Sequence, residues 1–374
     1  MNRYYNKFFC YAIEYFVLIL SILIITVCSC SKEVQNDYVS ISLGEEVISQ
    51  AIPLKTDSVW YPVDSIYAKR FYVYADTVLI VENRREAGFF LDFYNMRNHR
   101  FITKQLPFGD GPGEFLFAQM NYEGNSIRVM DYINKKLCYV SIDKVLRESE
   151  YKPDALPLSQ KYIITSSPIS YGDSIIYINP FHYINKQENI NQQPPRLIAV
   201  TSDDSEPEMP MDFDYMTFNV GQGFLGGNIH FGKMFFASNE ESSIEFYNSD
   251  LRLIKKVLGP VSLPDAKLDI SGDKNGKRDV CYKGMIQPES YRGFTCSNDK
   301  LYFLYTGEKV PLDNPKKYRS YILCFDWEGN FLRSYSAPNR IYALSVSTES
   351  DTFYATVMDK EENYKLVKLI SFSE

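Results

Sequence analysis

Three histidines, a scattered set of cysteines, one dense acidic run and one glycine-rich stretch are the parts of this 374-residue chain whose residue types can do chemistry. The histidines are His99, His182 and His230. Imidazole catalysis or metal binding needs several such groups to converge. His99 falls in a turn on the side opposite the loop that carries His182, which leaves too few histidines on either side for a zinc site. No two cysteines stand in a CxxC pair, which also argues against zinc. The stretch "DISGDKNGKRD" from Asp269 looks like a calcium loop, but its register puts Ser271 at the first ligand position and Tyr282 at the twelfth. The acidic run "DDSEPEMPMDFD" from Asp203 reads as a solvated loop. "PFGDGPGEF" at 107–115 has the glycines of a phosphate cradle, yet neither Gly-Lys-Ser/Thr nor a helix follows it. Its glycines are free to take positive φ, so it turns a corner between two strands. No cofactor and no metal are expected.

Chemistry is specified most sharply near Met1. Arg3 and Lys7 precede the apolar run "YFVLILSILIITV", Tyr15 to Val27. A membrane span needs about 20 apolar residues; this run is shorter and has signal-peptide proportions. It leads into "VCSCSKE", in which Val27-Cys28-Ser29-Cys30 resembles the bacterial lipoprotein box. The Cys30 thiolate would carry a diacylglyceryl group, and Ser29 is small enough for a peptidase pocket. Several acyl chains on one residue anchor durably where one does not. Cys30 is therefore the expected mature N-terminus, with the membrane as partner through its lipid. The next residues, "SKEVQND", resemble the acidic export tags of surface lipoproteins in Bacteroides-type bacteria.

Composition bounds the remainder. Thirty Tyr and 25 Phe favour strands over helices. Shedding Arg3, Lys7 and Glu14 takes the formal charge from −7 to −8, the wrong sign for a general nucleic-acid binder. Cys138 and Cys324 sit in apolar runs and read as small core residues, whereas Cys281 and Cys296 flank one long loop and could pair.

These residues are carried on a repeat. A polar turn followed by an apolar strand recurs six times, as "ADTVLIVEN", "GNSIRVMDY", "GDSIIYINP", "GKMFFASN", "NDKLYFLYT" and "SDTFYATVMD". Successive copies start 48 to 66 residues apart, the length of one four-stranded propeller blade with insertions. Each copy extends into strands a to d; "RFYVYA", "VLIVE", "FFLDFYN" and "RFITKQLP" make the first blade. The last copy has strands a, b and c only. "VISQAIPL" from Val47 is the expected closing strand, removing the open edge. The expected fold is all-β, a six-bladed β-propeller over 46–374, after a signal peptide at 1–29 and a lipidated tether at 30–45.

The corner "FGDGPGEF" followed by "IRVMDYINKKLCYV" resembles the NHL-type propeller repeat. With the lipoprotein box and six blades, the chain resembles the TolB-like six-bladed propeller lipoproteins of Bacteroides-type bacteria over about residues 40–374. The resemblance implies a cell-envelope, outer-membrane lipoprotein, periplasmic or surface-facing, and implies no reaction.

Three functions compete. One is a binding or scaffold module for a glycan, a peptide or a partner protein; the second is a hydrolase or lyase acting on polysaccharide; the third is a sensor-like accessory of a transport system. Asp, Glu and His clustered at channel depth would favour the enzyme, and an aromatic patch on the rim would favour the binder. The a–b and c–d turns are short, while the long connections are all b–c or d–a and share one face. Binding usually resides on long loops of a rigid scaffold. The candidate contacts there are Arg84, Arg85, Asn134, Lys135, His182, Tyr183, Glu240 and Tyr305. Mass spectrometry of the mature protein should find an acylated N-terminal Cys30; an intact Met1 in the membrane fraction would sink this assignment.

Overall fold

A computed structural model describes residues 38–61, 70–83, 88–158, 167–179, 182, 195–201, 222–228, 231–239, 241–263, 268–272, 278–282, 289–308, 319–347, 349–359 and 363–371. The chain divides into Met1–Val39 and Ser40–Glu374. Arg84, Arg85, Tyr183, Glu240 and Cys30 lie outside the described residues.

The second unit opens with β1 (Val39–Ser42, in this unit from Ser40), α1 (Glu46–Ser49) and β2 (Ile52–Ser58). Antiparallel meanders come next. The first contains β3 (Arg70–Tyr74), β4 (Val78–Glu82), β5 (Phe89–Asn95) and β6 (Arg100–Pro107), paired in chain order. The second contains β7 (Ala118–Glu123), β8 (Ser126–Asp131), β9 (Lys136–Ser141) and β10 (Ala155–Pro157), with α2 (Ile142–Arg147) between the last two strands. In the third, β11 (Ile169–Tyr171), β12 (Ser174–Ile178) and β13 (Leu197–Thr201) are described. The fourth is β14 (Gly223–Asn228), β15 (Lys233–Ser238), β16 (Ser243–Asn248) and β17 (Leu253–Leu258), and β1 extends it at β17. A hairpin, β18 (Leu268–Gly272) with β19 (Arg278–Tyr282), interrupts the long 259–291 connection. Strands therefore occupy both ends of the calcium-like sequence, where an EF-hand would have helices on either side. The last meanders are β20 (Glu289–Cys296), β21 (Lys300–Glu308), β22 (Ser320–Asp326) and β23 (Phe331–Ala337), then β24 (Ile341–Val346), β25 (Phe353–Met358) and β26 (Tyr364–Ser371).

First strands meet first strands. β3 lies against β24, β24 against β20, β20 against β7 and β14, and β14 against β11. The sheets thus converge on a common axis, which is propeller architecture. Of the turn residues read from the sequence, Asp76 has φ +51°, Gly232 +58° and Asp351 +53°, the left-handed backbone that tight a–b turns require; in the second and third meanders the preceding Gly124 (+63°) and Gly172 (+59°) adopt it instead.

The closing strand differs from the expectation at Val47. Residues 46–49 form a helical turn, with Ser49 N–H donating to Glu45 O at 3.0 Å. Pairing with the last meander runs from Leu54↔Ser371 to Ser58↔Val367. The reason is geometric. The segment must pass from β17 across β23 to β26, and a straight strand cannot change direction on the way. The turn drops Val47 into the aromatic core, and β2 touches β23 in parallel at Ile52 and Pro53 before reaching β26.

That core is built of edge-to-face rings between the fourth and fifth meanders. Phe235 meets Phe294 at 5.0 Å and Phe303 at 4.9 Å, and Phe303 meets Phe325 at 5.7 Å. Cys138 and Cys324 are buried free thiols. Cys296 is also free, which corrects the suggested pairing with Cys281: its strand end faces the axis, and Cys281 belongs to the separate hairpin. Among the described residues no helix is long and apolar enough to cross a membrane. Deleting residues 40–58 should uncover the β26 edge and give self-association in sedimentation velocity; a monomeric product of unchanged urea midpoint would contradict the closure.

Candidate functional site

The a–b turns bring short side chains to one end of the axis, and there they surround a pocket of about 550 Å³. The β7–β8 turn supplies Glu123, Gly124, Asn125 and Ser126; the β11–β12 side supplies Ile169, Ser170 and Tyr171. Gly227, Asn228 and Phe231 come from the β14–β15 side, and Cys296, Ser297 and Asn298 from the β20–β21 turn. Trp327, just after β22, and Tyr139 of β9 complete the wall. Gly226, next to this wall, shows why the inner strand is glycine-rich: a Cβ there would stand 2.4 Å from the Phe235 ring.

The rings are set by contacts with neighbouring sheets. The Tyr139 hydroxyl accepts from Ser170 N–H at 2.9 Å. Phe231 is 52 % exposed and lies against Trp327, centroids 6.3 Å apart. Trp327 is 6 % exposed, and its indole N–H has no hydrogen-bond partner. A buried donor left in this way costs about 1–3 kcal/mol.

Behind the wall lies one ion pair. Arg128, 1 % exposed, donates from Nη2 to Leu225 O at 2.6 Å and stands 3.1 Å from Glu123 Oε1. Its Nε and Nη1 have no hydrogen-bond partner. Arg128 reaches from the second meander to the fourth, beside a third meander whose described first strand is only Ile169–Tyr171. Burial pushes the Glu123 carboxyl up, and Arg128 opposes that shift only in part. Burial also raises the Cys296 thiol to about 12, so the thiol is uncharged in the pocket at neutral pH.

A second buried network ties the third meander to the fourth. Arg196 meets Glu245 in a bidentate fork at 3.1 and 3.3 Å, Lys256 Nζ approaches Glu245 Oε1 at 2.8 Å, and Tyr247 donates to Oε2 at 2.6 Å. Burial would raise the Glu245 carboxyl, but Arg196 and Lys256 hold it well below its ordinary value. With every partner close, the network reads as a structural clamp.

The sequence candidates lie elsewhere. Asn134 and Lys135 share the β8–β9 turn, which buried Asp131 organises. Asp131 accepts from Ile133 N at 3.0 Å, Asn134 N and Nδ2 at 3.1 Å, and Leu116 N at 2.8 Å. Lys135 has φ +48°, and burial lowers its ammonium pKa. His182 N–H donates to Asn179 O at 3.3 Å, at the start of its loop. Tyr305 is a core residue: its hydroxyl is 2.8 Å from Ser242 Oγ and accepts from Val261 N–H at 3.2 Å. The structure thus brings Asn134 and Lys135 together and puts Tyr305 in a separate, buried cluster. His99, in its c–d turn, stacks on Trp60 at 4.2 Å.

The glycine-rich corner packs as a turn. Gly113 has φ +80°, Glu114 N–H donates to Gly111 O at 3.1 Å, Glu114 Oε2 accepts from Gly111 N–H at 2.9 Å, and Phe115 is buried. Around it, Phe108, Phe117 and Ile133 are exposed on the long-loop face, with Phe117 edge-on to Tyr132. Sequence reasoning missed the axial pocket because its parts are turn tips up to 204 positions apart, Glu123 to Trp327. The doublet Gly226-Gly227 in an inner strand was the one local signal of a crowded axis.

No protein-family model matches the sequence, and no curated protein matches it. Among solved structures, a Bacteroides fragilis protein assigned as exported is 14 % identical, with TM-score 0.46 over 89 % of this chain and 99 % of its own. A DUF4221 family member from Bacteroides vulgatus is 11 % identical, with TM-score 0.49 over 85 % and 98 %. BamB from Moraxella catarrhalis is 9 % identical, with TM-score 0.33 over 79 % and 82 %. The fold stands on its own strand registers.

Arg128→Met should lower stability at pH 7 by about 3–5 kcal/mol, because Glu123 is left buried without its partner. A carboxyl with a raised pKa stabilises the fold at low pH and loses that contribution as pH rises. The deficit should therefore shrink as pH falls toward the ordinary carboxyl value of 4.5, and adding Glu123→Gln should recover part of it at pH 7. Urea unfolding at the two pH values reads both effects; a pH-independent deficit would count against the pairing.

Proposed function

We propose that this chain is a six-bladed β-propeller, held on the bacterial cell envelope by an acylated Cys30, that works by binding a ligand in the axial pocket of its short-turn face. The six blades are the meanders starting at β3, β7, β11, β14, β20 and β24, the last completed by β2. The division 1–29, 30–45 and 46–374 follows the lipoprotein box, although the strand β1, Val39–Ser42, already lies within 30–45. The TolB-like and NHL-like resemblance agrees with this reading, as do the sequence features of an outer-membrane lipoprotein.

The observation that carries the binding role is the pocket itself. Its volume is typical of small-ligand sites, about 300–1,000 Å³. Its described wall is mainly aromatic rings and short uncharged polar groups, with Ile169 and one carboxylate, Glu123. Hydrolysis or elimination on a sugar uses paired acid and base groups. Among the described lining residues Glu123 is the single carboxylate, and it faces Arg128. This favours binding over the hydrolase or lyase alternative.

A second reading keeps the long-loop face as the site for a partner protein. It is favoured by the exposed Phe108, Phe117 and Ile133 beside Asn134 and Lys135. On this reading Arg84, Arg85, His182, Tyr183 and Glu240 add polar contacts, and Tyr305 supports them from the core. Screening glycan and peptide libraries against the full chain in detergent separates the faces. Binding should fall about tenfold in Phe231→Ala and persist in Lys135→Ala. The opposite pattern moves the site to the long-loop face.

A further inference from the structure

We infer that the ligand is the end of a neutral oligosaccharide, held by ring stacking and by short amide and hydroxyl groups; this rests on the axial pocket being the binding site.

Charge sets the first limit. Glu123 is the one carboxylate among the described lining residues, and Arg128 Nη2 stands 3.1 Å from it. The pair leaves little net charge to offer. Among the described lining residues an anionic sugar would find no accessible cation, since Arg128 is almost wholly buried. A cationic ligand would have to displace Arg128 from Glu123 and leave a buried guanidinium unpaired. The uncharged ligand fits without either cost.

The wall then asks for a molecule with apolar faces and polar edges. Phe231, Tyr171 and Trp327 present rings, against which the C–H face of a pyranose packs. Asn125, Ser126, Asn228 and Asn298 present groups that both donate and accept, as sugar hydroxyls do. The Trp327 indole N–H is an independent pointer. It belongs to a residue 6 % exposed, lines this pocket and has no acceptor. A ligand oxygen brought in as Phe231 shifts would satisfy it. A peptide fits less well. Extended peptides are captured along strand edges or in long grooves, whereas this wall is made of turn tips.

The test uses the full chain in a polyoxyethylene detergent, which carries no sugar headgroup. Titration calorimetry and Trp emission are recorded in Trp60→Phe, so that Trp327 is the single emitter. The probes are cello-, malto-, manno- and xylohexaose, hexagalacturonate, and an uncharged end-blocked Gly/Ser/Ala hexapeptide. At least one neutral hexasaccharide should bind and shift the Trp327 emission. Its affinity should fall about tenfold in Phe231→Ala and in Asn228→Ala, at unchanged urea midpoints. Binding of hexagalacturonate alone, lost in Phe231→Ala, overturns the neutral character of the ligand, and binding of the peptide alone, lost likewise, overturns the saccharide assignment; both leave the pocket standing. Saccharide binding that neither variant alters overturns both. If none of the four neutral probes binds, the inference is wrong.

Discussion

The inner strand of each sheet is paired on one side only, and the backbone groups on its other edge face the crowded axis, away from bulk water. Such groups must find partners. In this protein the neighbouring sheets supply them as side chains. Ser345 Oγ accepts from Val73 N–H at 3.2 Å and donates to Val73 O at 3.3 Å, and Tyr122 donates to the same carbonyl at 2.9 Å. Thr356 accepts from Phe71 N–H, Thr295 from Val346 N–H, and Arg128 donates to Leu225 O. The small hydroxyl residues buried in the first and second strands are therefore the fasteners of the axis.

This constraint explains why the site lies where it does. A hydroxyl spans only a short gap, so inner strands fastened by Ser and Thr pack closely. Beside the third meander, whose described first strand is short, the reach is longer, and a guanidinium makes it. A buried guanidinium needs a counter-charge, and Glu123 at the end of β7 provides it. The a–b turns around this wider end leave a pocket whose described lining holds aromatic rings, one carboxylate facing a guanidinium, and several short polar groups. The chemistry of the pocket thus follows from how the axis is closed.

The two faces carry different signals. The short-turn face has a concave site built from rigid hairpin tips, suited to a small ligand. The long-loop face has exposed aromatic and aliphatic side chains around the glycine-rich corner, suited to a protein surface.

The sequence by itself determined what depends on neighbours in the chain. Alternating apolar strands, the Asp, Asn and Gly of the a–b turns, and the glycines of the 107–115 corner are local, because left-handed turns and pleated strands are set by adjacent residues. The successive meanders and their strand order were legible for that reason, and so was the missing fourth strand of the last one. The helical turn at 46–49 was not, because it arises from the path the segment must take across a sheet more than 280 positions later, where Val47 packs beside Phe331. Tyr305 looked like a rim residue because its strand end suggested exposure, yet Ser242 and Val261, from the connections before β16 and after β17, enclose its hydroxyl. Arg128 and Leu225 are 97 positions apart, and Val73 and Ser345 are 272 apart. Tertiary structure alone decided those pairings, and with them the pocket. Which side chains meet at the axis depends on the angle and order in which separately formed sheets pack, and local periodicity carries no record of that.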